Sequence, residues 1–95
     1  MERLSQSEIQ AKLKDLSGWQ LDDNGIKKEW KFDDFVAAMA FINKIADLAE
    51  QQNHHPELFN VYNRVSLRFS THDAGGLTEK DFSIAHAIEK SDALR

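Results

Sequence analysis

Three of the four histidines in the 95-residue sequence, His54, His55 and His72, fall at the ends of predicted elements; the fourth, His86, lies inside a predicted helix. Imidazole is the side chain whose ordinary titration lies nearest neutrality, so it can both give and take a proton at cellular pH. The adjacent pair in "EQQNHHPELFNVY" (residues 50–62), followed by His72 across one β segment, therefore suits proton transfer. Glu50 and Asp81 are carboxylates that could orient such a ring. Each also has a plainer reading, Glu50 as a solvated helix residue and Asp81 as the third residue of a helix-capping box.

Other chemistries find less support. The chain has no cysteine, which removes thiolate nucleophiles, disulfides and cysteine-based zinc sites. Two consecutive histidines in an extended chain point to opposite faces and make awkward partners for one ion, and there is no HExxH helix pattern, so no metal is expected. No G-x-S-x-G elbow is present, and "AGG" at residues 74–76 lacks the spacing and lysine of a phosphate-binding loop.

The elements that must position these histidines follow from periodicity. Ser5 with Glu8 fits a capping box, with Leu4 and Ile9 as its hydrophobic staple, and Ile9, Leu13 and Leu16 continue a helix over residues 6–16. Asn24-Gly25 predicts a tight hairpin turn between two strands. Asp33 or Asp34 caps a long central helix whose apolar stripe runs through Phe35, Ala38 or Met39, Ile42, Ile45 or Ala46, and Ala49. That helix must end before Pro56, which leaves Asn53, His54 and His55 at its exit.

From Leu58 to Ser70 the odd positions Phe59, Val61, Val65, Leu67 and Phe69 are apolar, a period of two that predicts half-buried β structure. Thirteen residues is long for one strand, so a turn or bulge near Tyr62-Asn63 is an alternative to a single strand. Thr78 with Asp81 opens a last helix through Phe82, Ala85 and Ile88. The short hairpin excludes a doubly wound sheet, and the order points to an α+β sandwich with helices on one face of an antiparallel sheet.

A chain of this length fits one domain, spanning residues 1–95. Its 41% hydrophobic and 29% charged residues are ordinary for a globular protein. A formal net charge of −4 with scattered lysines and arginines argues against nucleic acid as a partner. No stretch approaches the roughly 20 apolar residues that span a bilayer, so no membrane partner and a cytoplasmic location are expected.

Taken together, Glu50, His54, His55, Pro56, Tyr62, His72 and Asp81 spell E-x3-H-H-P-x5-Y-x9-H-x8-D. This resembles the signature of the pterin-4a-carbinolamine dehydratases, known in animals also as dimerisation cofactors of a homeodomain transcription factor. The surrounding "HHPELFNVYNRVSLRFSTHDAGGLTEKDF", Trp19 in "GW", and Phe32, Asp34 and Phe35 extend the likeness over nearly the whole chain.

The resemblance implies an α+β fold of order α-β-β-α-β-β-α, with a four-stranded antiparallel sheet and three helices packed on one face, which favours splitting the 58–70 segment. It implies a homodimer or homotetramer. The implied reaction is loss of water from 4a-hydroxytetrahydropterin, recycling the cofactor of an aromatic amino acid hydroxylase, with the pterin as substrate and no cofactor. His54 and His72 would be the principal acid and base, with His55 beside them and Asp81 orienting a ring. Glu50, Asn53, Pro56, Ser70, Thr71 and Asp73 would join the histidines in binding the pterin. Many relatives carry tryptophan where this chain has Leu58, so any stacking by that ring is absent. The alternative reading is a noncatalytic dimerisation or protein-binding module.

Overall fold

The computed structural model describes residues 2–91. Its elements are α1 (Gln6–Leu13), β1 (Gln20–Asp22), β2 (Gly25–Lys31), α2 (Phe35–Gln52), β3 (Glu57–Val61), β4 (Arg64–Phe69), a 3₁₀ turn at His72–Ala74 and α3 (Glu79–Lys90). The predicted α-β-β-α-β-β-α order stands. The four strands form one antiparallel sheet in the order β1-β2-β4-β3.

Both capping boxes form. The Ser5 hydroxyl accepts from the Glu8 amide while the Glu8 carboxylate accepts from the Ser5 amide at 2.9 Å. Thr78 and Asp81 repeat the exchange at the start of α3. The first helix ends at Leu13, three residues short of the predicted Leu16. Beyond it the chain tightens into i→i+3 bonds, Asp15 N–H to Lys12 and Leu16 N–H to Leu13, which carry Leu16 into the core.

The first hairpin is displaced by one residue from the predicted turn. Asp22 pairs with Gly25, so the turn residues are Asp23 and Asn24, and Asp23 takes the left-handed φ of 58°. Gly25 instead opens β2, where an added Cβ would lie 2.8 Å from the Phe69 carbonyl oxygen. Close approach to β4, rather than turn geometry, is what calls for glycine there.

Asp34 is the cap of α2, accepting from the Ala37 amide at 2.8 Å. The buried stripe runs Ala38, Phe41, Ile45, Ala49. It differs from the predicted one at Phe35, which is about half exposed, and at Phe41, which the periodic reading passed over. Phe41 is drawn in by aromatic partners on the sheet: its ring centroid lies 4.8 Å from Trp30 and 5.0 Å from Phe32.

The long β segment splits at Tyr62-Asn63. Val61 pairs with Arg64, and Tyr62 adopts φ 51°. A two-residue turn puts Val61 and Arg64 on the same sheet face, so the parity of the alternation inverts across it. Val65, Leu67 and Phe69 are fully buried, whereas Phe59 and Val61 are 65% and 54% exposed on the opposite face. The odd-position pattern therefore marks the core only in β4.

The helices cover the face bearing Ile26, Val65, Leu67 and Phe69, where one cluster with Trp19, Phe82, Ile84 and Ile88 forms the core. The outer face carries ion pairs, Arg68 with Asp22 and Glu57 and Arg64 with Glu29. Exposed pairs contribute only about 0–1 kcal/mol each, so apolar burial on the inner face does most of the stabilising.

Candidate active site

The helix exit is built by Asn53. This residue takes the left-handed conformation (φ 49°, ψ 46°), its amide bonds to Glu50 O, and the His54 amide bonds to Ala49 O at 3.0 Å. These two bonds make a Schellman motif, which ends α2 three residues ahead of Pro56. The proline lies beyond a stop already made, contrary to the expectation that it terminates the helix.

Once the chain leaves the helix, consecutive side chains diverge. His54 turns inward and is nearly buried, while His55 turns outward. The His54 ring stacks at 27° on Phe69, centroids 5.9 Å apart. Its Nε2 lies 2.5 Å from Oδ1 of Asp81, whose carboxylate has no exposed surface.

The other carboxylate oxygen is equally occupied. Oδ2 accepts the Thr78 amide at 2.9 Å and the Thr71 hydroxyl at 2.8 Å. Since the Thr71 proton is committed to Asp81, the 2.8 Å contact between the Thr71 and Thr78 hydroxyls is one in which Thr78 donates. A buried carboxylate is costly unless it is paired and hydrogen-bonded, and here one imidazole, one hydroxyl and one amide satisfy it. Among the described residues no buried side-chain nitrogen or oxygen lacks a partner.

His55 Nε2 contacts Glu50 Oε2 at 2.6 Å across the last turn of α2, both groups exposed. His72 opens the 3₁₀ turn with its side chain fully exposed, its Nδ1 3.9 Å from Asp73 Oδ1. The β4 strand and the α2 exit bring these residues to one open cavity of about 350 Å³. Asn53, His54, His55, Ser70, Thr71, His72 and Asp73 line it, and Lys80 is added from the first turn of α3.

Of the remaining candidates, Asp81 stands behind the cavity as the partner of His54. Glu50 and Pro56 line a neighbouring apolar groove instead. Thr71 lines the cavity, but its hydroxyl proton is engaged by Asp81, so it offers no free side-chain donor to a ligand. Tyr62 sits at the β3–β4 turn, 61% exposed. Lys80 was missed because a lysine beside a capping aspartate reads as solvated; only the docking of α3 shows that it borders the histidines. A larger hollow of about 470 Å³ beside β1 and β2 contains no histidine.

The sequence model described as "Pterin 4 alpha carbinolamine dehydratase" matches residues 2–91. The chain belongs to this dehydratase family. A protein of Rhizobium johnstonii carrying the name "Putative pterin-4-alpha-carbinolamine dehydratase" is 54% identical over 95 residues, covering 98% of this chain and 94% of its own. One of Sulfolobus acidocaldarius with the same name is 43% identical, covering 93% and 97%. The crystal structure of a "transcriptional coactivator/pterin dehydratase" from Brucella melitensis superposes with a TM-score of 0.89 at 41% identity, covering 93% of this chain and 96% of that one. As a member of the pterin-4a-carbinolamine dehydratase family, the chain has the family's α+β fold. Among its described residues no helix is long and apolar enough to cross a membrane.

Proposed function

We propose that this chain dehydrates 4a-hydroxytetrahydropterin to quinonoid dihydropterin and water by histidine acid–base catalysis, without a cofactor or metal of its own. The observation that supports it best is the convergence of His54, His55 and His72 on one cavity, with His54 held from behind by Asp81.

In this reaction the C4a–O bond breaks, the departing hydroxyl takes its electron pair and a proton, and N5 loses its proton as the C4a=N5 bond forms. With Asp81 ionised, the proton it shares with His54 rests on Nε2 and leaves the Nδ1 lone pair for N5–H. The carboxylate then stabilises the imidazolium that forms, as a buried aspartate does in hydrolytic triads. His72, open to solvent, supplies the proton to the hydroxyl and is recharged by water. His55 and the polar edges of Asn53, Ser70 and Asp73 bind the heterocycle, since fixed donors and acceptors at element ends orient a planar ring.

The product would return to an aromatic amino acid hydroxylase after reduction. The same reading takes the working unit as a homodimer or homotetramer, which the unpaired edge of β3 and its exposed Phe59 and Val61 favour.

Stopped-flow decay of freshly generated 4a-hydroxytetrahydropterin at mildly alkaline pH tests the proposal. Wild type should accelerate decay, and His54→Ala and His72→Ala should each lose about 10²- to 10⁴-fold of the catalysed rate. Variants that turn over like wild type would remove the histidine mechanism. A folded wild type without acceleration would leave a noncatalytic binding module as the reading.

A further inference from the structure

We infer that Arg3 and Leu4 form a strap across the back of the loop that carries His72, and that Arg3 is a positioning residue for the dehydration, acting through that histidine. This rests on the dehydratase reading, in which His72 delivers the proton to the departing hydroxyl. The His72 side chain is fully exposed, and its one ion-pair contact among the described residues, with Asp73 at 3.9 Å, is to a group equally exposed. Placing the ring is therefore left to the backbone of residues 71–76.

That backbone stands on two legs. The Thr71 amide donates to Gly76 O at 3.0 Å and the Gly76 amide to Thr71 O at 3.4 Å, which closes the loop at its base. Inside it the Ala74 amide donates to Thr71 O and the Gly75 amide to His72 O. The Thr71 leg is anchored by its hydroxyl, which donates to the buried Asp81. The other leg is anchored by the strap, where the Leu4 amide donates to Leu77 O at 2.8 Å and the Leu4 side chain packs against the core. Burial of Leu77 fixes the end of that leg, but the two glycines ahead of it have no side chains to pack.

Arg3 covers those glycines. Gly76 does not take a positive φ, so its backbone conformation does not call for glycine. Its neighbour does: a Cβ at residue 76 would lie 2.7 Å from Cδ and 3.2 Å from Cγ of Arg3, and the three nearest atoms all belong to that side chain. The guanidinium continues over Gly75, with Nη1 3.9 Å from where a Cβ would stand. A long side chain that lays its methylenes on bare backbone while its head stays in water restrains that segment and adds little to global stability. Displacing a catalytic group by about 1 Å can cost on the order of 10²-fold in rate, so a restraint this modest is enough to matter for His72.

The test is a set of dehydration kinetics with freshly generated 4a-hydroxytetrahydropterin at varied concentration, read beside urea midpoints. Arg3→Ala should lower kcat about tenfold with KM within about threefold, because His55, Asn53 and Ser70 bind the heterocycle from outside the loop, and its urea midpoint should stay at the wild-type value. Arg3→Lys, which keeps Cγ and Cδ, should restore kcat to within about twofold of wild type. Gly76→Ala, whose methyl displaces the arginine, should lower kcat about as much as Arg3→Ala and add nothing once Arg3 is alanine. In a His72→Ala background Arg3→Ala should cost no further turnover. A wild-type kcat in Arg3→Ala would overturn the strap and leave the dehydratase reading standing. A loss that persists in the His72→Ala background, that tracks a lowered urea midpoint, or that Gly76→Ala repeats undiminished without Arg3 would equally overturn it. A folded wild type that does not accelerate dehydration would bring down both.

Discussion

Nε2 of His54 lies 2.5 Å from Oδ1 of Asp81, and that same carboxylate closes the capping box at the start of α3 through its other oxygen. One buried group thus joins the helix that begins at Thr78 to the ring at the end of α2. Its two duties can be separated by substitution.

Asp81→Asn keeps an oxygen for the Thr78 amide but removes the charge that would stabilise an imidazolium. Turnover should fall at least about 10²-fold. Asp81→Ala also abandons the cap, leaves His54 Nε2 unpaired and takes the acceptor from the Thr71 hydroxyl proton, which should cost about a further 1–3 kcal/mol in urea unfolding. Equal stability losses in the two variants would show that the cap and the ring contact are not separable.

Thr71→Val deletes the hydroxyl that donates to Asp81 at nearly constant volume. Unfolding free energy should drop by about 1–3 kcal/mol, because Oδ2 of the buried carboxylate loses one of its two donors and the Thr78 hydroxyl loses its acceptor. Thr71→Ser should restore most of it. In stopped flow the valine variant should lose less turnover than His54→Ala, since it acts only by positioning the carboxylate.

The Glu8 carboxyl is held below its ordinary range by the Ser5 backbone amide and the Ser5 side chain, aided by Lys12. A folded-state value below the unfolded one gives stability that is present above the unfolded value and is lost as pH falls through the folded one. Backbone amide shifts of Ser5 and Glu8 should therefore hold steady at pH 6 and report fraying of α1 below about pH 4. Glu8→Gln, which still fits a capping box, should abolish this pH dependence while keeping the helix.

Gly25→Ala forces a methyl to within 2.8 Å of the Phe69 carbonyl oxygen, a backbone atom of the neighbouring strand. Overpacking of this kind costs about 1–3 kcal/mol, seen as a lower urea midpoint. Asn24→Ala, at the adjacent turn position, should cost less.

What was legible in the sequence was what is encoded locally. Both capping boxes involve residues three apart, and each formed with its named partners. The hairpin was misplaced by one residue because the glycine answers to β4, more than forty positions along the chain. Phe41 was overlooked because its burial depends on Trp30 and Phe32, which are not on its helix. For the site, residue types and spacing singled out the histidines, and the alternation of an extended chain implied that His54 and His55 diverge. Which one would meet Asp81 depends on how α3 docks against the exit of α2.

The double role of Asp81 bears on sorting relatives of this fold into active and inert members. A chain that had given up the chemistry would still need a carboxylate or its like to start α3, so an aspartate at that position certifies the helix start alone. The imidazole facing it shares that structural duty, because His54 pairs with Oδ1 of the buried carboxylate, whereas His72 stands fully exposed at the rim of the cavity and satisfies no buried group. The presence of His72 is therefore the more telling marker of a working site.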